Sequence, residues 1–465
     1  MAVRLSATVF LILLTGLATS AFAQEEPKQK GPDGLKALKD EDPKIRYNSV
    51  ALLGKLGAKA KFLAPVLLEM LDDPDLKVKL KVAETLWKLD PPPTTKVIPI
   101  LKTALKDKDN ELRGMALSVA QQMGNKAKEL MPEVRDALKD KNFGLRMRAV
   151  FVVGEMGASG KTAIPELIGI LETDDTGFLE ATVAIALSKI GFRAVTPLRD
   201  SLSHKNAQVR RGSAYALSLI GRKAYQAVPE LRKALSDDNA VVRAFSAQAL
   251  GNIGRDAEPA LVDLQTAMKN NKGSVRIDSA LAIWKIAKDK SVIPVLSQAY
   301  ASDKNYENRI SAIRALGEMR PPTDKQIGSL IVATQDISPG VRATACRSLV
   351  KVGPVNKVWV QDLKDRLKDE KKVAVQIQFA RAIGLLDGKV DKKCIEVLES
   401  ALANDSRSVR KGAVQAMKDL GPIVAGSVNS LAKLLRDDSE EIRQLTREAI
   451  LAIDRDLAKK IGIQQ

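Results

Sequence analysis

The fold can be predicted from one stretch of the sequence, Asp237-Asp238-Asn239-Ala240-Val241-Val242-Arg243, followed by Ala247, Leu250, Ile253 and Gly254. In it an acidic residue precedes an Arg by six positions, and apolar residues at helical spacing lead to a Gly. The same arrangement returns at a period of 33 or 34 residues along the chain. A fixed period of this length is typical of stacked-repeat solenoids, in which each unit packs on its neighbours. We therefore expect an all-α chain without a single central core.

Thirteen copies of the pattern can be counted, and the position that Arg usually occupies in each copy is here called the marker. The marker positions are Arg46, Lys79, Arg113, Arg146, Glu180, Arg210, Arg243, Arg276, Arg309, Arg342, Gln376, Arg410 and Arg443. The residues six positions earlier are Asp40, Asp73, Asp107, Asp140, Asp174, His204, Asp237, Asn270, Asp303, Asp336, Glu370, Asn404 and Asp437.

Each repeat is predicted to form two helices, called A and B in chain order, with the marker in helix B. Pro near the start of helix A fits a first turn, which has N–H groups to spare. Asp or Asn in the connecting turn can cap helix B, and a Gly just after helix B permits a left-handed stop. Positions −1, +3, +7 and +10 from the marker share one face and are small or aliphatic, so they are predicted to be buried. Positions +1, +5 and +8 are then predicted to face away from the core.

These repeated features resemble an α-solenoid of the short bacterial HEAT type, similar to the repeats of the phycobilisome-lyase HEAT-like family, over about residues 35 to 460. The resemblance implies a right-handed superhelix whose B helices line the concave side. It also implies a ladder of Asp–Arg contacts between neighbouring repeats. This ladder would be interrupted at Glu180 and Gln376 and weakened where His204, Asn270 and Asn404 replace Asp. Its Arg members would be Arg46, Arg113, Arg146, Arg210, Arg243, Arg276, Arg309, Arg342, Arg410 and Arg443.

The N-terminus has the pattern of a secretory signal. Arg4 supplies a positive residue, Val9 to Ala18 is a short apolar run, and Ala21-Phe22-Ala23 has the form of a cleavage site. The apolar run is shorter than the roughly 20 residues that a membrane anchor needs. We therefore expect a signal peptide at 1–23, a polar leader at 24–34 and the solenoid at 35–465. The mature chain is expected to be periplasmic or secreted and to have no transmembrane span.

The sequence contains no recognisable catalytic constellation. It has one His, His204, and two Cys, Cys346 and Cys394, which fall in non-adjacent repeats and are expected to be free thiols. No Cys, His or carboxylate set has zinc spacing, and no nucleophile elbow or phosphate-binding loop is present. We therefore expect no metal, no cofactor and no enzymatic activity. Of three hypotheses for the function of the protein, a lyase-type enzyme on the same fold is the weakest.

The +5 positions include three consecutive arginines, Arg314, Arg347 and Arg381. Stacked layers place them in a row with a spacing of about 10 Å, and such a row suits carboxylate or phosphate groups. A solvated basic face is the alternative explanation. The same outward positions carry aromatic residues that are candidate contact residues unless curvature of the superhelix buries them: Trp87, Trp284, Phe151, Tyr215 and Tyr47.

The formal charge of +18 and the pI of about 9.6 favour anionic partners, although dispersed Lys residues can also serve solubility. The leading hypothesis is a non-enzymatic extracytoplasmic scaffold that binds a protein or peptide, of acidic character, on its concave surface. The alternative is an envelope-associated module that binds anionic lipid or glycan, and salt dependence separates the two. A nucleic-acid partner conflicts with the signal peptide and is not expected.

Overall fold

The computed structural model describes residues 36–173 and 177–463, and within these ranges all regular secondary structure is helical. This confirms the all-α prediction. The predicted signal peptide and the polar leader at 24–34 lie outside the described residues, as does Asp174.

The helices alternate between A and B types as the repeat predicts. The B helices are α1 Pro43–Leu56, α3 Leu76–Leu89, α5 Asn110–Met123, α7 Phe143–Met156, α9 Glu180–Ile190, α11 Ala207–Ile220, α13 Ala240–Ile253, α15 Gly273–Ala287, α17 Tyr306–Glu318, α19 Pro339–Val352, α21 Val373–Asp387, α23 Arg407–Leu420 and α25 Glu440–Ile453. The A helices are α2 Ala64–Glu69, α4 Thr94–Leu105, α6 Met131–Ala137, α8 Ile164–Thr173, α10 Val195–Ser201, α12 Val228–Ala234, α14 Leu261–Asn270, α16 Ile293–Ser302, α18 Asp324–Ala333, α20 Lys357–Asp369, α22 Lys392–Leu402 and α24 Val428–Ala432, and α26 Arg455–Lys460 follows the last repeat.

The chain divides into two compact units, Met1–Ala234 and Leu235–Gln465. In the first unit the six B helices from α1 to α11 pack against one another in chain order, and they also contact A helices of that unit. The second unit repeats this arrangement from α13 to α25. Within each unit the B helices therefore form one layer, and one side of that layer faces away from the A helices.

The turn between helices A and B is fixed by short-range hydrogen bonds from its polar residues. The Asp336 carboxylate accepts the Ser338 N–H at 2.8 Å, and Asp73 accepts the Asp75 N–H at 2.9 Å. Asp75 then caps α3 by accepting the Val78 N–H at 2.9 Å. These bonds satisfy N–H groups that a helix start leaves unpaired.

The ends of the B helices differ in part from the sequence prediction. Gly254 follows α13 with a φ of 78°, which suits Gly, but the equivalent stop after α15 is Lys288 with a φ of 57°. Many B helices continue into a 3-10 segment, so several A helices are short, as α2 shows with six residues. The expectation that Pro lies in the first turn of helix A fails twice, because Pro99 lies inside α4 and Pro259 lies inside a 3-10 segment.

The seam between successive layers is apolar and close-packed. Val242, Leu250 and Ile253 at positions −1, +7 and +10 are at most 2% exposed. Gly251 at position +8 lets α13 approach α15, since a Cβ there would lie 2.9 Å from the Cα of Ala282. Position +8 therefore belongs to the inter-helix contact in this layer, and the prediction that it faces outward is wrong here.

One stretch, Glu180–Ser201, has the length and composition of a membrane-crossing helix. It consists of α9, a 3-10 turn and α10, and 44% of its most apolar window is buried inside the structure. Core helices of soluble proteins pass the same test, so this stretch is weak evidence for a membrane span.

Candidate binding surface on the B helices

Marker arginines join their own turn to the turn of the next repeat. Arg309 donates Nη1 to the carbonyls of Asp303 and Lys304 at 3.2 Å each. It donates Nε and Nη2 to both carboxylate oxygens of Asp336, 27 residues away, at 2.9 and 2.8 Å. The same bidentate pairing links Arg46 to Asp73 and Arg342 to Glu370. These arginines are therefore engaged in packing, and their charges are not available to a partner.

Among the remaining markers, Arg410 makes the complete arrangement and the others make only part of it. Arg113 lies 3.2 Å from Asp140, and Arg410 binds Asp437 at 2.7 Å. The hydrogen bond from Arg410 lowers the pKa of Asp437 to about 2. Contacts with carbonyls of their own turns are made by Arg146, Arg210, Arg243 and Arg443. Arg243 also donates to the Asn271 side chain.

Three markers depart from the pattern. Arg276 reaches only the Gln298 side chain, at 3.3 Å, and its buried Nε has no partner among the described residues. Gln376 keeps the contact with its own turn by donating Nε2 to the Glu370 carbonyl at 2.5 Å. Glu180 replaces the cation by an anion and pairs instead with Arg211 of α11.

The predicted arginine row lies on the open side of the B-helix layer in the second unit. Arg314 and Arg347 are exposed, and neither forms an ion pair with a carboxylate in the part of the chain that the structure describes. Arg347 donates Nη2 to the Thr344 hydroxyl at 2.9 Å. Partial burial lowers the pKa of Arg347, and repulsion from Arg314 and Arg381 lowers it further. The guanidinium group of Arg347 therefore lies close enough to those of Arg314 and Arg381 to be repelled by both.

Arg381, the third member of the row, is already neutralised. Its Nε lies 2.6 Å from the Asp419 carboxylate of α23. The part of the row that lacks an anion is thus limited to Arg314 and Arg347.

Of the aromatic candidates Phe151 is exposed as predicted, whereas the other four are less exposed than their positions predict. Trp284 is 8% exposed, with the Lys288 ammonium 4.0 Å from its ring centroid, so the expectation of an exposed Trp284 is wrong. Trp87 is half-buried and donates Nε1 to the Gln122 carbonyl at 3.1 Å. Tyr215 is half-buried, and Phe151 is 40% exposed. Trp87 at position +8 therefore contacts the next B helix, α5.

Tyr47 lies in a separate environment at the start of the first unit. It is half-buried, and the ammonium groups of Lys77 and Lys81 lie 5.8 and 5.5 Å from its ring centroid. Those two lysines pair with Glu111 and Glu84, at 2.6 and 2.9 Å. The cations around Tyr47 are therefore satisfied, which distinguishes this region from the arginine row.

Sequence reasoning missed a polar pocket beside Arg314. The pocket has a volume of about 210 Å³ and lies among α13, α15 and α17. Gln248, Asp278, Lys285, Arg314 and Glu318 contribute to its lining. Asp278 occupies position +2, where no other repeat has an acidic residue. A comparison of the +2 positions could have identified it.

The charged form of the Asp278 carboxyl group is poorly stabilised by its surroundings. Burial raises its pKa to about 7, although a hydrogen bond from Gln248 and the charge of Lys285 act in the opposite direction. Lys285 itself donates to Asn252 at 3.0 Å and lies 3.5 Å from Glu318. A strongly shifted carboxyl in a pocket is a typical feature of binding sites, although packing alone can also produce one.

The groups most often used in catalysis are engaged or buried. His204 accepts the Asn206 N–H through Nδ1 at 3.1 Å. Cys346 and Cys394 are buried free thiols, and burial raises the pKa of each to about 12. Among the described residues, no group of three or more His, Cys, Asp or Glu side chains is arranged to hold a metal ion.

The stacked A and B helices and the Arg–carboxylate ladder define an α-solenoid, as predicted. A family profile for HEAT repeats matches residues 32–121, 64–136, 98–188, 131–218, 195–284, 293–377 and 360–451, and the chain therefore belongs to the HEAT-repeat family.

Solved structures agree with this fold. Yeast importin-β (Kap95p) is 14% identical, with a TM-score of 0.51 over 97% of this chain and 75% of that one. Importin-β crystallised in ammonium sulfate is 12% identical, with a TM-score of 0.50 over 93% of this chain and 69% of that one. At such identities the likeness shows the fold alone. No curated protein sequence matches the chain.

Proposed function

We propose that the protein is a non-enzymatic scaffold that binds an acidic protein or peptide on the B-helix face of its second unit. HEAT-repeat solenoids are typically protein-binding scaffolds. Their stacked layers present extended surfaces that suit such partners. The observation that carries the proposal is the exposed, unneutralised pair Arg314 and Arg347 on that face.

Like charges held close together on this face raise the free energy of the unbound protein. The lowered pKa of Arg347 means that its surroundings disfavour the charged form, with Arg314 and Arg381 adding repulsion. An incoming carboxylate relieves that repulsion and accepts two parallel N–H bonds from a guanidinium. Ladder arginines such as Arg309 and Arg342 gain little from such a ligand, because each already has an anionic partner.

The setting of this activity is also a proposal. The signal-like residues 1–23 support export to the periplasm or beyond. The short repeats support a finer kinship with the phycobilisome-lyase HEAT-like group. The net charge of +18 supports an anionic envelope lipid or glycan as the alternative partner.

A pull-down from an envelope fraction tests the proposal. The bait variants are the wild-type mature chain, Arg314→Glu with Arg347→Glu, and the matched control Arg255→Glu with Arg320→Glu. The control arginines are exposed and lie in connecting segments outside the B helices of the same unit.

The proposal predicts that a partner captured by the wild type and by the control is lost from the B-face variant. Equal capture by all three baits would reject the arginine pair as the site. Capture that disappears equally in both variants would show dependence on net charge, which favours the anionic-envelope alternative.

A further inference from the structure

The unneutralised cationic surface formed by Arg314 and Arg347 is short, because carboxylates lie at both of its ends. Toward the C-terminal repeats, Asp419 already holds Arg381 at 2.6 Å. Toward the N-terminal repeats, the pocket beside Arg314 contains Asp278 and Glu318. A long, uniformly anionic ligand that follows the row would meet these carboxylates. The surface therefore matches two acidic groups rather than a continuous polyanion.

The two arginines lie at the same position of consecutive B helices, α17 and α19, which pack directly on each other. Packed helices have axes about 8–10 Å apart. A polyproline II segment advances about 3.1 Å per residue and completes a turn in three residues, so residues three apart point the same way and lie about 9 Å apart. In a β-strand, by contrast, residues three apart point to opposite sides.

The surroundings of the row also favour an extended segment over a helix. A polyproline II segment makes no internal hydrogen bonds, so its backbone groups need partners. Gln248 and Ser311 line the pocket next to Arg314, and their side chains contain both donors and acceptors. A helix has already satisfied its backbone groups and would gain little from them.

We propose that the ligand of this face is a short polyproline II segment of a partner protein, with two acidic side chains three residues apart that bind Arg314 and Arg347. This inference rests on the proposed function, since it specifies the partner of the same site. It adds a conformation and a spacing that the proposed function does not require.

Fluorescence anisotropy with labelled proline-rich peptides tests the spacing. The first peptide has two glutamates separated by two prolines, and the second has the same composition with one intervening proline. The third is a helical peptide with its two glutamates seven residues apart. The proteins are the wild-type mature chain, Arg347→Gln and the control Arg255→Gln.

The three-residue spacing should bind the wild type about five-fold more tightly than the two-residue spacing, because only the former forms both ion pairs. The preference should vanish in Arg347→Gln and persist in Arg255→Gln. Equal affinity for the two proline-rich peptides, or tighter binding of the helical peptide, would overturn the inference.

These results also separate the inference from the proposed function. If both proline-rich peptides bind equally and both weaken in Arg347→Gln, the acidic-partner function stands and the spacing is wrong. If Arg347→Gln alters no peptide affinity and the pull-down is also unchanged, the proposed function fails with the inference.

Discussion

At the scale of single residues, the same side-chain type has two different roles in this protein. The marker arginines were predictable, because an acid-x5-Arg pattern that recurs with the repeat predicts a structural contact, and Arg309 meets both Asp303 and Asp336. Asp278 was not predicted, since its unusual pKa comes from what surrounds it in three helices. The position of a residue within a repeat can be read from the sequence. The desolvation of its side chain depends on how several helices pack around it.

Asp278→Asn is expected to stabilise the protein at alkaline pH. The folded pKa is about 7 against an ordinary value of 3.8, so the unfolded chain loses this proton first and stability falls as pH rises between those values. Above pH 7 the penalty is complete. Each pKa unit corresponds to about 1.4 kcal/mol, so the variant should gain at least about 1 kcal/mol relative to wild type between pH 5 and pH 8.

Urea unfolding at the two pH values measures this effect. Asp405→Asn, at an exposed position in the same unit, is the control and should show no such trend. A stability difference between Asp278→Asn and wild type that does not change with pH would contradict the explanation.

Arg309→Gln is expected to destabilise the protein more than Arg276→Gln. The first change removes a bidentate pair in which both side chains are largely buried, at 12% and 7% exposure, and it leaves Asp336 with the Ser338 N–H. The loss should be about 1–3 kcal/mol. Arg276 makes only the 3.3 Å contact with Gln298, and its change should cost less. Equal losses, measured by urea unfolding, would mean that the ladder does not contribute through this pairing.

At the scale of helices, the residue at which a helix begins was easier to predict than the length of the helix. Asp and Asn in the A–B turn predict the caps of B helices, and Asp75 and Asn239 make such caps. The 3-10 segments that shorten the A helices have no separate sequence signal, because the same small residues also suit an α-helix. The depth of position +8 depends on how closely consecutive B helices approach, which is set by the neighbouring repeat and explains the burial of Trp284.

Gly317→Ala is expected to push α17 away from α19. A Cβ at Gly317 would lie 2.5 Å from the Cβ and 2.9 Å from the Cα of Ser348, so a backbone must move. The expected loss is about 1–3 kcal/mol. Gly328→Ala in α18 is the matched control, because a Cβ there has no atom within 4 Å, and helix propensity should stabilise it by about 0.5–1 kcal/mol. Thermal melts that move in the same direction for both variants would refute this close contact.

At the scale of the whole molecule, the repeat period made the fold predictable and left the partner undetermined. Thirteen copies of one pattern specify stacking, since one helix pair cannot bury its apolar face alone. A binding surface depends instead on where copies differ from one another. The sequence therefore indicated Arg314, Arg347 and Arg381 as a row, but not that Asp419 neutralises Arg381.

Deletion of residues 303–335 is expected to leave a folded, shorter solenoid. The deletion removes α17 and α18 and joins the end of α16 to the equivalent end of α18, so every remaining helix keeps a stacking partner. Deletion of 306–319 removes α17 alone and should expose the apolar seam. Circular dichroism and limited proteolysis should show native-like helicity and resistance only for the full-repeat deletion. Equal loss of structure in both would contradict the stacked-repeat account.

Hydrogen exchange of the mature chain, with and without the partner recovered by the pull-down, shows directly whether the B-helix face of the second unit is the binding surface. Binding should slow exchange in α17, Tyr306–Glu318, and α19, Pro339–Val352, and Arg314→Glu with Arg347→Glu should abolish this protection. Protection confined to A helices or to the first unit, with none in α17 or α19, would show that the partner binds elsewhere.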